Sequence, residues 1–226
     1  MVSKVVFLGM NEAGEKICEW LNTRNDAEIL EVITEKENLD TVKQLEPDLV
    51  LSSGFEYLVP YEILEVPDKG AVNLHPSYLP FNRGAHPYIW PLIDGTPAGV
   101  SIHYMDEDID TGPIIDKKKV PVNSGDTAYS LRERLMSRMV ELFKKNWPDI
   151  REGVEGEKQN KEEGSTHYRS ELDDISMLDL EQKMTLEEAI NLLRALSYGE
   201  KGLGIYNKDE EFYRIRLAIE KIDGSN

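Results

Sequence analysis

Cysteine is almost missing from this 226-residue chain; Cys18 stands alone. One thiol excludes an intramolecular disulfide framework, and four histidines with no Cys/His cluster give no reason to expect a metal. Long apolar runs are missing as well. No stretch approaches the roughly 20 residues that a membrane-spanning helix needs, so no membrane partner is expected. The opening M-V-S-K-V-V-F-L-G passes straight into a strand-like pattern, which argues against a secretory leader. A cytoplasmic protein is the plain expectation. Basic residues are the third deficit: 26 Lys and Arg face 43 Asp and Glu, a net charge of −17. Binding nucleic acid requires a basic footprint that replaces counterions around phosphates, so no nucleic-acid partner is expected. Hydrophobic residues make up 40% of the chain and mean hydropathy is −0.47, as in a globular protein. The length allows one ample core, or a main domain with a small appendage.

What is present alternates. Residues 5–9 (V-V-F-L-G) read as a buried strand, and the turn G-M-N-E-A-G at 9–14 opens a helix to about residue 22, with Ile17, Cys18 and Leu21 at helical spacing. The turn lacks G-x-G-x-x-G, so it does not mark a dinucleotide site. The helix N-terminus is expected to face a ligand and lend it amide donors. Strands follow at 27–34, 49–53, 71–75, 99–104 and 114–122, with helical segments at 38–45, 61–64 and 87–93. A long amphipathic helix starts at Asp126, capped by Ser124 or Asp126, and ends near Pro148, with Leu131, Leu135, Met139, Leu142 and Phe143 on one face. This alternation predicts an α/β fold with a Rossmann-like, doubly wound, mostly parallel sheet. Residues 154–165 are polar and nearly without apolar side chains, and are expected to link a main domain at 1–153 to a small α+β appendage at 166–226. The appendage is expected to hold a helix opened by a Thr185/Glu188 capping box and a hairpin of strands at 205–206 and 212–222.

The chain is organised around residues 70–116. On the strand at 71–75, Asn73 and His75 are two apart and project from one face, while Leu74 points into the opposite layer. Burying an amide and an imidazole at a strand end is costly unless each finds a partner. With a carboxylate from the acidic loop at 106–110 they would make an acid/base site with an oxyanion donor. Ligands of doubly wound sheets gather beyond the carboxyl ends of strands, where this pair lies. Arg83 beside the flexible Gly84, at the mouth of such a site, suits an anionic or polyhydroxyl acceptor; a plain surface loop is the alternative. His86 reads as a loop histidine and His103, between Ile102 and Tyr104, as a structural one. Asp106, Asp108 and Asp110 lack the glycine and terminal glutamate of a calcium loop.

The run N-L-H-P-S, then L-P-x-x-R-G, then G-V-S-I-H-x-x-D-x-x-x-D-T-G-P-I-I closely resembles the formyltransferases that use 10-formyltetrahydrofolate. That superfamily includes glycinamide ribonucleotide, methionyl-tRNA and nucleotide-sugar N-formyltransferases. The resemblance is strong over about two thirds of the chain. It implies catalytic roles for Asn73, His75 and Asp110. It places Phe55, Tyr57 and Leu58 at a pterin pocket, with backbone carbonyls of the loop bearing Asp106 and Asp108 accepting from the pterin. It sets Met10 and Asn11 beside the acceptor substrate. The glycinamide ribonucleotide enzymes carry G-x-G-S-N at residues 9–14, which this chain lacks, and the methionyl-tRNA enzymes carry a larger, basic C-terminal domain. The short tail with T-x-x-E-A-x-N-x-x-R-A-L resembles the sugar N-formyltransferases, and makes His167, Tyr168, Arg169 and Arg194 candidates for acceptor binding.

The resemblance thus implies formyl transfer from 10-formyltetrahydrofolate, without a metal, to the amine of a nucleotide-linked aminodeoxy sugar, of the dTDP-4-amino-4,6-dideoxyglucose type. Asn73 and protonated His75 would donate to the developing oxyanion, and Asp110 would orient His75 and raise its pKa. The purine and tRNA acceptors, formyl-folate hydrolysis and a non-catalytic binding module are the alternatives. A homodimer through the C-terminal strands is a further expectation, since an exposed strand edge offers a pairing surface.

Overall fold

The computed structural model describes residues 1–160 and 162–222. Lys161, within the expected linker, and 223–226, at the end of the expected appendage, lie outside the described residues.

Six strands form the main sheet: β1 (Ser3–Leu8), β2 (Ala27–Ile33), β3 (Leu49–Ser52), β4 (Ala71–His75), then, after a two-residue β5 (Arg83–Gly84) that stands apart, β6 (Gly99–Tyr104) and β7 (Ile114–Lys119). Their order is β2-β1-β3-β4-β6-β7. The first four run parallel, and β6 is antiparallel to both β4 and β7. The sheet is therefore mixed and mostly parallel. Helices α1 (Glu12–Asn22), α2 (Thr41–Leu45), α3 (Tyr61–Leu64), α4 (Trp90–Ile93) and α5 (Ala128–Ile150) accompany it.

Strand alternation divides the core into two layers. Val5, Phe7, Leu49, Leu51, Val72, Leu74, Val100 and Ile102 point to one face, where Ile17 and Leu21 of α1 and Leu131, Leu135, Met139, Phe143 and Trp147 of α5 bury them. Val6, Leu8, Val50 and Ala71 point to the other, against Val42 of α2 and Ile63 and Leu64 of α3. Helices on both faces make the sheet doubly wound. Asn73 and His75 follow Ala71 out of the second face, beyond the reach of its helices.

Element ends differ from expectation for local reasons. Helix α5 is capped by Thr127, whose side chain accepts from Ser130 N–H, with the Ser130 hydroxyl completing the box. Asp126 instead holds the Asn123 amide and Arg134. Pro148 lies within α5 rather than ending it; in the last turn its missing N–H costs a single bond. The expected strand to 122 stops at Lys119.

The C-terminal part is small and β-rich: β8 (Thr166–His167), α6 (Arg169–Ser176), α7 (Leu186–Ala195), β9 (Ser197–Tyr198), β10 (Lys201–Gly202), β11 (Gly204–Lys208) and β12 (Glu211–Ile215). Thr185 and Glu188 cap α7 reciprocally. The hairpin is β11–β12, with its second strand ending at 215 rather than 222. Two features go beyond the sequence reading: α6, whose Leu172 and Ile175 pack on the main core, and the parallel pairing of β5 with β8. Among the described residues no helix is long and apolar enough to cross a membrane.

Candidate active site

Antiparallel register builds the floor of the site. Asn73 of β4 lies directly opposite His103 of β6, and His75 opposite Ser101. Both histidines and the amide therefore share one face. A bulge between Ile102 and His103 in the β6–β7 ladder turns the chain there, as bulges beside functional sites do. The loop after β6 then returns Asp110 to the same spot in a left-handed conformation (φ 53°).

Asp110 collects donors. Its Oδ2 accepts from Gly84 N–H at 2.8 Å and lies 3.4 Å from His75 Nδ1. Its Oδ1 accepts from Asn73 Nδ2 at 3.1 Å and lies 3.3 Å from His103 Nε2. The other faces of the rings are also occupied: His75 Nε2 is 3.0 Å from the Asn82 carbonyl, and His103 Nδ1 is 2.7 Å from the Tyr104 carbonyl. Burial alone would raise the carboxyl pKa, but the two imidazoles and the Gly84 amide overturn that and hold Asp110 well below the usual carboxylate range. For His75, burial wins. It pulls the imidazole below its ordinary value, against the opposing pull of Asp110 and the Asn82 carbonyl. Asp110 thus raises His75 as expected, but burial outweighs it, and the net shift is downward.

The sign of this shift sets a pH dependence. The unfolded chain takes up the His75 proton near pH 6.5, before the folded protein does. His75 therefore contributes stability that is present above about pH 6.5 and lost as pH falls below it. Asp110, also lowered, adds stability that is lost only at more acid pH. The urea midpoint is expected to fall between pH 7 and pH 5, and His75→Gln, which retains the likewise lowered His86, to flatten part of that slope.

The floor opens into a cleft of about 480 Å³. Phe55, Tyr57, Leu58, Val59, Met105, Asp106 and Asp108 line it on one side, and Asn11, Tyr88, Arg132, Tyr168 and Arg169 also border it. Asn73, His75, Gly84 and Asp110 lie between, with His86, His103 and His167 in the wall.

Three expected contacts are absent. Met10 packs against the core and does not line the cleft. Arg83 is buried; its guanidinium binds Gln159 Oε1 and the Asn160 carbonyl, not the cleft. Arg194 is buried too, donating to the Asp126 and Asn123 carbonyls (both 2.7 Å) and to Asn191 Oδ1. It fastens α7 to the start of α5. Replacing it with alanine orphans the buried Asp126 carbonyl, while the Asn123 carbonyl keeps the Asp126 N–H, so Arg194→Ala is expected to cost about 1–3 kcal/mol in a denaturation experiment, with no change in KM. Nor are the α1 amides at Ala13 and Gly14 free for a ligand, since Asn11 Oδ1 caps both.

Sequence reasoning misses His103, Arg132 and Gln159. Antiparallel pairing of two histidine-bearing strands is the available signal for His103. Nothing local marks Arg132, which sits on the polar flank of an amphipathic helix and pairs with Glu12 at 2.9 Å. Among the described residues no group of three or more His, Cys, Asp or Glu side chains is arranged to hold a metal.

A buried carboxylate ringed by two imidazoles and an amide, beyond the strand ends of a doubly wound sheet, makes a site suited to acid–base chemistry. The comparisons narrow the class. A family model described as formyl transferase matches residues 4–145, and one described as the N-formyltransferase dimerization C-terminal domain matches residues 171–221. The chain belongs to the formyltransferase family. The dTDP-4-amino-4,6-dideoxyglucose formyltransferase of Mycobacterium tuberculosis is 33% identical over 153 residues, 68% of this chain and 64% of that protein. The methionyl-tRNA formyltransferase of Clostridioides difficile is 35% identical over 175 residues, 76% of this chain and 56% of that protein. The chain thus spans less than two thirds of these curated relatives. A 4-N formyltransferase structure from Francisella tularensis superposes with a TM-score of 0.89 at 25% identity, covering 97% of this chain and 99% of that one. A formyltransferase from Anoxybacillus kamchatkensis, solved with UDP-4,6-dideoxy-4-formamido-L-AltNAc and tetrahydrofolate, gives a TM-score of 0.68 at 32% identity, covering 76% of this chain and 88% of that one.

Proposed function

We propose that this protein is an N-formyltransferase that moves the formyl group of 10-formyltetrahydrofolate to the amine of a nucleotide-linked aminodeoxy sugar. The observation that carries the reading is the Asp110 carboxylate, held within 3.4 Å of Asn73, His75 and His103 on the floor of the cleft. The formyl-folate supplies an activated formyl carbon; the amine bonds to it, the C–N10 bond breaks, and N10 leaves carrying the proton that His75 has taken from the amine. Charge then develops on the formyl oxygen, where Asn73 Nδ2 donates after giving up its bond to Asp110 or to His103 Nε2. Such a donor is worth most where water is excluded. His75, neutral near pH 7 because it is buried, accepts the amine proton at Nδ1, and the nearby Asp110 Oδ2 stabilises the resulting imidazolium.

The wall of Phe55, Tyr57, Leu58, Val59 and Met105 suits a flat pterin, and the loop of Asp106 and Asp108 suits its amino group. Arg132 and Arg169, with the aromatic faces of Tyr88 and Tyr168, suit the diphosphate and base of a nucleotide. The sugar is of the 4-amino-4,6-dideoxy type on thymidine diphosphate, as the 4-N relatives support. The catalytic region is residues 1–153, and 166–226 is the appendage through which two copies pair. The family description of the tail and its exposed Leu186, Phe212, Tyr213 and Ile222 support that pairing.

The 35% identity to a methionyl-tRNA enzyme favours tRNA as a second reading, and the net charge of −17 weighs against it. An acceptor panel decides. Turnover is expected with nucleotide-linked 4-amino sugars and not with glycinamide ribonucleotide or methionyl-tRNA. Turnover confined to methionyl-tRNA would overturn the sugar reading.

A further inference from the structure

Residues 157–160 and 162–167 run along the underside of the site. Glu157 exchanges two 2.8 Å backbone hydrogen bonds with Ile114. Two residues on, the same antiparallel course brings Gln159 opposite Gly112, and there the side chain takes over from the backbone. Gln159 Nε2 donates to the carbonyls of both Asp110 (2.9 Å) and Gly112 (2.7 Å). Its Oε1 accepts from Arg83 Nε (3.2 Å) and Nη2 (3.1 Å). Both amide hydrogens and the amide oxygen are thus employed. Exchanging O and N would set an oxygen against two carbonyls and an NH₂ against a guanidinium, so the network fixes the orientation.

The two carbonyls that Gln159 holds flank the bend that presents the Asp110 carboxylate. Asp110 adopts φ 53°, a region that costs an ordinary residue energy and persists only where surroundings enforce it. Gly112 sits so close to the Tyr104 carbonyl that a Cβ there would clash with it, which leaves the loop no room to relax inward. Arg83, gripped by Gln159, immediately precedes Gly84, whose N–H binds Asp110 Oδ2. Asn82, whose carbonyl faces His75, is held by Ser165 through its own N–H.

We infer that Gln159 is a positioning residue for the proposed formyl transfer: it clamps the Asp110 turn and, through Arg83, the Gly84 amide, and so sets the distance between Asp110 and His75. The inference rests on the formyl-transfer reading for its kinetic consequence, but the clamp itself is testable without turnover.

Two variants separate positioning from mere scaffolding. Gln159→Glu keeps, and by charge strengthens, the link to Arg83, but sets oxygens against the Asp110 and Gly112 carbonyls. Gln159→Leu removes both sides of the clamp. If the segment only needs its tie to Arg83, Gln159→Glu retains wild-type kcat. If Gln159 positions Asp110, kcat falls about 100-fold in both variants, as misplacement by about 1 Å does, while KM for formyl-folate and acceptor stays within about twofold. A second readout is the His75 imidazole titration followed by NMR in the intact protein. Moving the carboxylate away removes a contribution that raises His75, so its midpoint is expected to drop in Gln159→Leu, which adds no charge of its own. An unchanged His75 titration in Gln159→Leu, or undiminished kcat in Gln159→Glu, would overturn the inference. A wild type that turns over no acceptor while the His75 midpoint still drops would instead sink the formyl-transfer reading and leave the clamp standing.

Discussion

Asp110→Asn is expected to lower kcat about 1000-fold with KM changed little, within the range that a positioned acid–base group supplies. The reason lies in the donors around it. Gly84 N–H at one oxygen and Asn73 Nδ2 at the other both need an acceptor. An asparagine offers only one, so its NH₂ must oppose one of these donors. In the proposed transfer, the imidazolium formed at His75 would also lose its counter-charge, at a buried site. Steady-state kinetics on an active acceptor check this. Retention of a tenth or more of wild-type kcat would show that the carboxylate is a packing group.

Gly84→Ala is the second large effect, and it is structural first. Gly84 has φ 83°, and a Cβ there would approach the His167 carbonyl, on the partner strand of β5, to a distance no side chain tolerates. The β5–β8 pairing must open. Left-handed strain and the lost pairing together are expected to cost about 3 kcal/mol, roughly 10 °C in Tm for a protein of this size. Because the Gly84 amide is also a donor to Asp110, the folded fraction is expected to lose kcat about 100-fold. A variant that melts as the wild type does would contradict the geometry of this junction.

Much of this architecture is legible in the amino-acid sequence. The two-residue spacing of Asn73 and His75 puts them on a common face, and apolar alternation locates the strands of the main sheet. Asp110 comes from the family motif, since its distance along the chain from His75 carries no geometry. His103 is harder, because a histidine on an apolar strand looks structural until the antiparallel register sets it against Asn73. Arg83 and Arg194 mislead for the opposite reason: a guanidinium is expected at the surface or at a ligand, and sequence does not show which buried oxygens will surround it. Gln159 escapes because the polarity of 154–165 resembles a linker. Hydropathy records that such a segment avoids the core, not that its amide answers two carbonyls and a guanidinium. Short α6, with only Leu172 and Ile175 at helical spacing, falls below what periodicity detects.

The most direct test is transfer of a labelled carbon. Wild-type protein would be incubated with formyl-folate carrying ¹³C in the formyl group and with dTDP-4-amino-4,6-dideoxyglucose, and the products followed by ¹³C NMR. Appearance of the label as a formamide on the sugar, dependent on the enzyme, is the predicted result. Label released as formate with the sugar amine untouched would contradict it and show that the Asp110 site activates water rather than an amine.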